Sequence, residues 1–382
     1  PRDPTEDSGP RVPCAAIVVC LSAGTRTRYL AAVMTALRSL LFGSMVLDRS
    51  KIIWRGAIRG AIVVTILITV PVLSGAPATA TPLAIGALFV ALADIGEQVG
   101  LRWRTMLWTT TWLMAGTFVG ILVSENAPAL VVVSALVALL CGYVGVIGRR
   151  SGLAGVLTLV IFTVFAGSPR PEWDAPSTTL LVGLGGIIIT AVTIVPTLIR
   201  HPGSGRRPTA AEAWLPVLRQ HLHADDDYVR HAVRLALAIA VATIVALLIQ
   251  HPHSYWIPMT VAWVAKPERR ATSTRVLARL AGTIGGVLIV VLINDVFHLG
   301  NPGLILVCGI GSLVVLMFVW ADYAIAVVGI TAFIVALFAL QGSPVGATAH
   351  LRIGDTLIAG VIAVLASLVW PAVPHPDPAP SH

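Results

Sequence analysis

The chain has 382 residues, 56% of them hydrophobic and 12% charged, with a formal net charge of +8 and a mean hydropathy of +0.87. A water-soluble domain of this size must cover itself with polar groups, and disorder needs low hydrophobicity with high charge. A polytopic membrane protein remains, and its continuous apolar blocks with frequent Gly and Ala favour an all-α fold over a barrel.

Residues 1–50 are mixed in character and read as a cytoplasmic extension, either disordered or a misassigned start, because Met45 opens a stretch that leads into an apolar helix. The apolar run 14–23 is too short to span a bilayer and lacks the flanks of a signal peptide. A weak amphipathic segment over 28–42 is the competing reading.

A bilayer core takes roughly 20 apolar residues per helix. With that ruler, residues 51–200 predict six spans, at about 56–74, 80–96, 105–123, 127–147, 152–168 and 178–199. Residues 229–373 predict six more, at about 231–250, 255–266, 276–294, 302–320, 323–341 and 353–371. Pro82 and Pro258 make the second and eighth the weakest. A polar linker, 201–228, separates the two sets and holds a capping-box spacing, Thr209 with Glu212, for a short interfacial helix. Asp225, Asp226 and Asp227 then sit where acids favour a helix N-terminus. Residues 374–382 read as a disordered tail.

The basic residues explain the net charge without nucleic acid. All but Lys51 and Lys266 are Arg. With the N-terminus cytoplasmic, inner loops carry Arg102, Arg104, Arg149, Arg150, Arg200, Arg206, Arg207 and Arg219, then Lys266, Arg269, Arg270, Arg275 and Arg279, while the outer side holds Arg170 and Arg352. That asymmetry is the positive-inside pattern and predicts a plasma-membrane protein with both termini in the cytoplasm.

The two sets repeat each other. Arg55 and Arg59 recur as Arg230 and Arg234, Gly167-Ser168-Pro169 as Gly342-Ser343-Pro344, and Pro196 as Pro371, each 175 residues on. The motif Ala115-Gly116-Thr117-Phe118-Val119-Gly120 recurs as Ala281-Gly282-Thr283-Ile284-Gly285-Gly286, 166 residues on. Six spans per unit is an even number, so the repeats are predicted to be parallel, with a path for a solute between them.

The stretch Tyr255 to Gly286 carries a Tyr-Trp pair, Thr260 in an apolar helix, Pro267 at its end, then Arg275 and Arg279 leading to Gly282, Thr283 and Gly286. This resembles the fusaric acid resistance protein-like family, which includes aromatic acid exporters, and is more distantly similar to aluminium-activated malate transporters. Asp94, Arg102, Arg104, Gly116, Thr117 and Gly120 form a degraded copy in the first half, and the end of the chain from Arg352 through Asp355 and Gly360 to Trp370 also looks like the family. The resemblance covers about 51–373. It implies outward transport of organic, typically aromatic, acid anions. Many bacterial members carry a large cytoplasmic domain after each six-helix unit, where this chain shows a short linker.

Candidate pathway residues are cations and the groups beside them. Arg279 stands within or at the edge of the bilayer, where an Arg is costly unless paired or hydrated. Arg234, its repeat partner Arg59, and Lys266 complete a collar that attracts anions, with headgroup anchoring as the plainer alternative. Thr117 and Thr283 either line a path or bond across helix interfaces, for which Gly116, Gly120, Gly282 and Gly286 supply small faces. Trp263, with Tyr255 and Trp256, offers an aromatic wall or an interfacial belt. Asp355 is either a coupling carboxylate or the partner of Arg352, three residues earlier.

No Gly-rich phosphate loop or nucleophile triad can be argued from spacing, and His251, His253 and His298 do not define a zinc set. No enzyme, metal or cofactor is expected. The partners expected are an organic anion and membrane lipids. A passive anion channel and a non-transporting envelope scaffold stay open beside the transporter, as does the oligomeric state.

Overall fold

A computed structural model describes residues 47–94, 99–201, 214–223 and 226–369. The segments 14–23 and 28–42, the Thr209 and Glu212 pair, Asp225, and the tail from Trp370 onward lie outside the described residues. Among those described, the protein is helical, with no strand. The helices are α1 (Trp54–Leu73), α2 (Pro77–Leu92), α3 (Val99–Val123), α4 (Ala127–Tyr143), α5 (Arg149–Ala166), α6 (Asp174–Arg200), α7 (Trp214–Gln220), α8 (Asp227–Ile249), α9 (Trp256–Val264), α10 (Arg269–Phe297), α11 (Asn301–Phe318), α12 (Tyr323–Ala339) and α13 (Val345–Leu368).

Nine of the described helices are long and apolar enough to cross a membrane: α1, α3, α4 with the turn after it, α5, α6, α8, α10, α11 and α13. The apolar helices α2 and α12 are shorter, and α9 has only nine residues. The protein is a multi-pass membrane protein, and its side chains are distributed accordingly. In α1, Ile58, Ile62, Ile66 and Val70 face outward while Ala57, Gly60, Val64 and Ile68 face inward. In α13, Leu357, Val361 and Leu365 are exposed, whereas Arg352, Asp355, Thr356 and Ala359 are buried. Such helices put bulk outside and small or polar groups inside, the reverse of a water-soluble helix and the pattern suited to lipid.

Local chemistry sets the helix ends. The Asn126 side chain accepts the Ala129 N–H at 3.0 Å at the start of α4. Asp226 accepts the Tyr228 N–H at 2.8 Å at the start of α8, and Asp322 accepts those of Ala324 and Ile325 at the start of α12. At the end of α8, Gln250 adopts the left-handed conformation, with φ 55°, that turns the chain back. Extended Ala265 ends α9 ahead of Pro267, and Thr272 Oγ1, accepting from the Lys266 N–H at 3.0 Å, ties the connection to α10.

The helices pair in a definite order. In the first six, α1 packs on α2, α2 on α6, α6 on α3, α3 on α5 and α5 on α4. In the last six, α8 packs on α9, α9 on α13, α13 on α10, α10 on α12 and α12 on α11. Between the two sets, α4 packs on α8, α11 on α1, and α9 on α5.

Two boundaries differ from the hydropathy expectation in a way that matters. Helix α10 starts at Arg269 rather than about 276, so Arg279 lies ten residues, about 15 Å, from its end. Helix α13 starts at Val345 rather than about 353, which moves Arg352 and Asp355 from a helix border to two and three turns inside. A hydropathy window centres on the most apolar run and misses helical turns that carry Arg, His and Thr.

Candidate functional site

The short helix α9 packs on α5 of the first set and on α8 and α13 of the second. Space opens at both of its ends. A pocket of about 390 Å³ lies beside the α8–α9 connection, lined by Ser134, Thr163, Thr243, His251, Tyr255 and Pro258 from both sets. A tighter cavity of about 60 Å³ lies by the other end, where Leu88, Phe89, Val160, Trp263, Arg279 and Tyr323 form part of its wall. Trp263 stands edge-on to Phe89, with ring centres 6.4 Å apart. Apart from Arg279 and the Tyr323 hydroxyl, that wall is apolar.

Arg279 is 2% exposed, and its Nε and Nη2 have no hydrogen-bond partner among the described residues. Burial this complete removes the usual escape, in which a long side chain reaches out to headgroups. At the centre of an apolar helix an Arg costs about 3 kcal/mol to insert, and the cost falls toward the helix ends; at its depth in α10, Arg279 calls for a partner for these two nitrogens. The neighbouring Arg275 lies 4.2 Å above the Tyr323 ring, and the Tyr323 hydroxyl has no partner among the described residues.

A second buried cation, Arg352 on α13, is 0% exposed, and none of its three guanidinium nitrogens has a hydrogen-bond partner among the described residues. Its guanidinium lies 4.7 Å from the centre of the Trp256 ring, on which His253 stacks at 4.6 Å. Its ionisable neighbours are Arg279, Asp355, Tyr255 and Tyr323. Asp355, one turn further along, does not pair with it. Asp355 Oδ1 instead meets His251 Nε2 at 2.9 Å, and Oδ2 has no partner among the described residues. His251 Nδ1 accepts the His253 backbone N–H at 3.2 Å, which puts the ring proton on Nε2, facing Asp355.

The other sequence candidates fall in different places. Arg234 donates from Nη2 to the Pro267 carbonyl at 2.8 Å and shares a small crevice with Lys266 and Thr272, so it braces the α9–α10 connection. Arg59 lies 3.7 Å from Asp94, which accepts a two-pronged contact from Arg102 at 2.7 Å on each oxygen. Thr117 and Thr283 are both fully buried, and their hydroxyls have no partner among the described residues. A Cβ on Gly120 would stand 2.9 Å from the Phe162 carbonyl, and one on Gly116 3.1 Å from that of Thr158, where α3 meets α5. On Gly282 and Gly286 it would stand 2.5 Å and 2.7 Å from the carbonyls of Ala324 and Val328, where α10 meets α12. Arg279, Trp263 and, through Tyr323, Arg275 come together at the cavity; Arg59, Arg234 and Lys266 do not.

Arg352, Tyr323, His251 and His253 were not legible as site residues. The i, i+3 spacing of Arg352 and Asp355 suggested a closed pair, whereas the fold turns Asp355 toward a residue 104 positions away. A cation followed by an acid in an otherwise apolar stretch was the available signal.

Residues 239–366 match the family described as fusaric acid resistance protein-like, which covers the second helix set from within α8 to near the end of α13. An uncharacterized protein of Synechocystis is 33% identical over 153 residues, spanning 40% of this chain and 20% of that protein. An uncharacterized protein of Neisseria gonorrhoeae is 32% identical over 158 residues, 41% of this chain and 36% of its own length. The inner membrane protein YccS of Escherichia coli is 30% identical over 162 residues, 42% of this chain and 22% of its own. The chain thus aligns with about a fifth to a third of the length of these relatives. No solved structure matches it.

Proposed function

We propose that this membrane protein, whose second helix set matches the fusaric acid resistance protein-like family, is a transporter that moves organic acid anions, aromatic carboxylates among them, out across the plasma membrane. Twelve helices form two parallel six-helix repeats, and the path runs between them beside α9. The helix pairings support the repeat: the five main pairings of the first set each have a counterpart in the second, and the first helix of each set packs on the fourth of the other. The arginine-rich connections at one end of the bundle support cytoplasmic termini.

The observation that carries the reading is Arg279, buried in the wall of an otherwise apolar cavity between the two sets with two guanidinium nitrogens unpartnered. An apolar wall accepts a ring, and a dry guanidinium accepts a carboxylate in a two-pronged contact. In proteoliposomes, radiolabelled benzoate uptake should saturate with wild-type protein. It should fall about tenfold or more in Arg279→Gln, the equivalent of one hydrogen bond to a charged group. Arg279→Lys should retain part of it. Equal uptake by Arg279→Gln at equal protein density would overturn the assignment.

A further inference from the structure

The cavity by Arg279 and the pocket by His251 are separate spaces, and Arg352 lines neither but lies 4.7 Å from the Trp256 ring, in the first turn of α9. Its ionisable neighbours include Tyr255, which lines the pocket, and both Arg279 and Tyr323, which line the cavity. Resting on the transport reading, we propose that Arg352 is a second station for the transported carboxylate and that Asp355 is its internal rival, competing with the anion for the same guanidinium.

Three observations support this. Two buried arginines, Arg279 and Arg352, are electrostatic neighbours, so the region carries an excess of positive charge that favours an incoming anion. Among the described residues, Arg352 has three buried nitrogens without partners, and Asp355, on the same face one turn away, has a buried oxygen without a donor. The i, i+3 spacing on one helix face puts the carboxylate within reach of the guanidinium, so Arg352 has two possible mates. Finally, the other Asp355 oxygen is held by His251, which lines the pocket, so the carboxylate has a tether that reaches the pocket wall.

The rivalry links the anion to a proton. Ionised Asp355 neutralises Arg352 and displaces the anion. Protonated Asp355 is neutral and leaves Arg352 to the anion. Proton and anion therefore favour each other's binding, and by linkage each strengthens the other by the same factor. The groups facing Asp355 and Arg352 are His251 and His253 from the α8–α9 connection, Tyr255 from α9, Arg279 from α10 and Tyr323 from α12.

Binding of radiolabelled benzoate to the full chain in nanodiscs tests this, measured at pH 5.5 and pH 8 in carboxylate-free buffer. Wild type should bind more tightly at pH 5.5. Asp355→Asn should bind about fivefold or more tightly at pH 8 than wild type, within the usual range of coupling between sites, and should lose most of the pH dependence. In an Arg352→Gln background, Asp355→Asn should change nothing, because the two residues act on one contact. This double variant also removes both buried charges together, so it keeps the test valid if Asp355→Asn alone folds poorly. Wild-type affinity that does not change with pH, or an Asp355→Asn effect that persists without Arg352, overturns the rivalry and leaves the Arg279 reading standing. Wild type that fails to bind benzoate at either pH overturns both.

Discussion

The Arg352 guanidinium rests 4.7 Å from the centre of the Trp256 ring, so the most deeply buried cation of α13 is supported by an aromatic face and not by a carboxylate. That contact joins α13 to the first turn of α9, the helix that separates the pocket from the cavity. An aromatic face attracts a cation through its quadrupole without satisfying its N–H groups. Arg352 is therefore held in place while its hydrogen-bonding capacity stays available.

Trp256→Ala should be among the most destabilising single changes in the protein. It removes a side chain that is 1% exposed and leaves both a cavity and an unsupported Arg352. A loss of about 3–5 kcal/mol is expected for a buried Trp. Trp256→Phe keeps a ring under the guanidinium and should lose clearly less. Thermal unfolding in detergent, followed by size-exclusion recovery, checks the ranking, and equal midpoints for the two variants would show that the ring face is irrelevant.

The close approach of α10 to α12 makes a contrast within one helix turn. A Cβ added at Gly282 would stand 2.5 Å from a backbone carbonyl, whereas at Gly285 it meets only a Val328 methyl at 3.4 Å. Gly282→Ala should force the helices apart and lower stability by about 1–3 kcal/mol. Gly285→Ala should be neutral or gain, since Ala favours a helix over Gly by about 1 kcal/mol. Unfolding midpoints of the two variants read the difference directly, and a tolerated Gly282→Ala would refute the tight interface.

The helical, multi-pass character could be read from hydropathy because burial in lipid demands long apolar runs, and nine of the described helices are long and apolar enough to span. The paired small-residue motifs could be read because close helix packing needs them. The site itself was much less legible. Arg279 was singled out from its depth in an apolar run, which is a local property. Hydropathy puts Arg352 at a helix border because its helix begins eight residues before the apolar window does, and helix extension through Thr348, His350 and Arg352 has no hydropathy signal. The Asp355 contact with His251 and the stacking of His253 on Trp256 depend on where the α8–α9 connection lands, and nothing in local sequence fixes that.

At the arginine-rich end, Asp94 clamps Arg102 with two 2.7 Å contacts and draws in Arg59 at 3.7 Å, linking α1, α2 and α3. Asp94→Asn should cost about 1–3 kcal/mol, less than a fully buried pair because the arginine side chains are 20% and 33% exposed. Arg102→Lys cannot reproduce the two-pronged geometry and should recover only part. Benzoate transport per folded molecule should be unchanged in both, since neither residue lines the cavity. A selective loss of transport at normal stability would instead place this cluster on the anion's path.

Acid should loosen the start of α8. Asp226 is partly desolvated, which acts to raise its pKa, but the contact with His221 at 2.7 Å and the Tyr228 N–H outweigh this and hold it below the usual carboxylate value. A carboxyl with a depressed folded pKa contributes stability at pH values above its unfolded pKa of about 4. That contribution is lost as pH falls from there through the folded value. Asp226→Ala should cost about 1 kcal/mol at pH 7, the worth of a helix cap, and should flatten the stability profile below pH 4 relative to wild type. Asp226→Asn should keep part of the cap while losing the acid dependence. Detergent unfolding midpoints between pH 3 and pH 7 separate the three proteins, and parallel profiles for wild type and Asp226→Asn would refute the assignment.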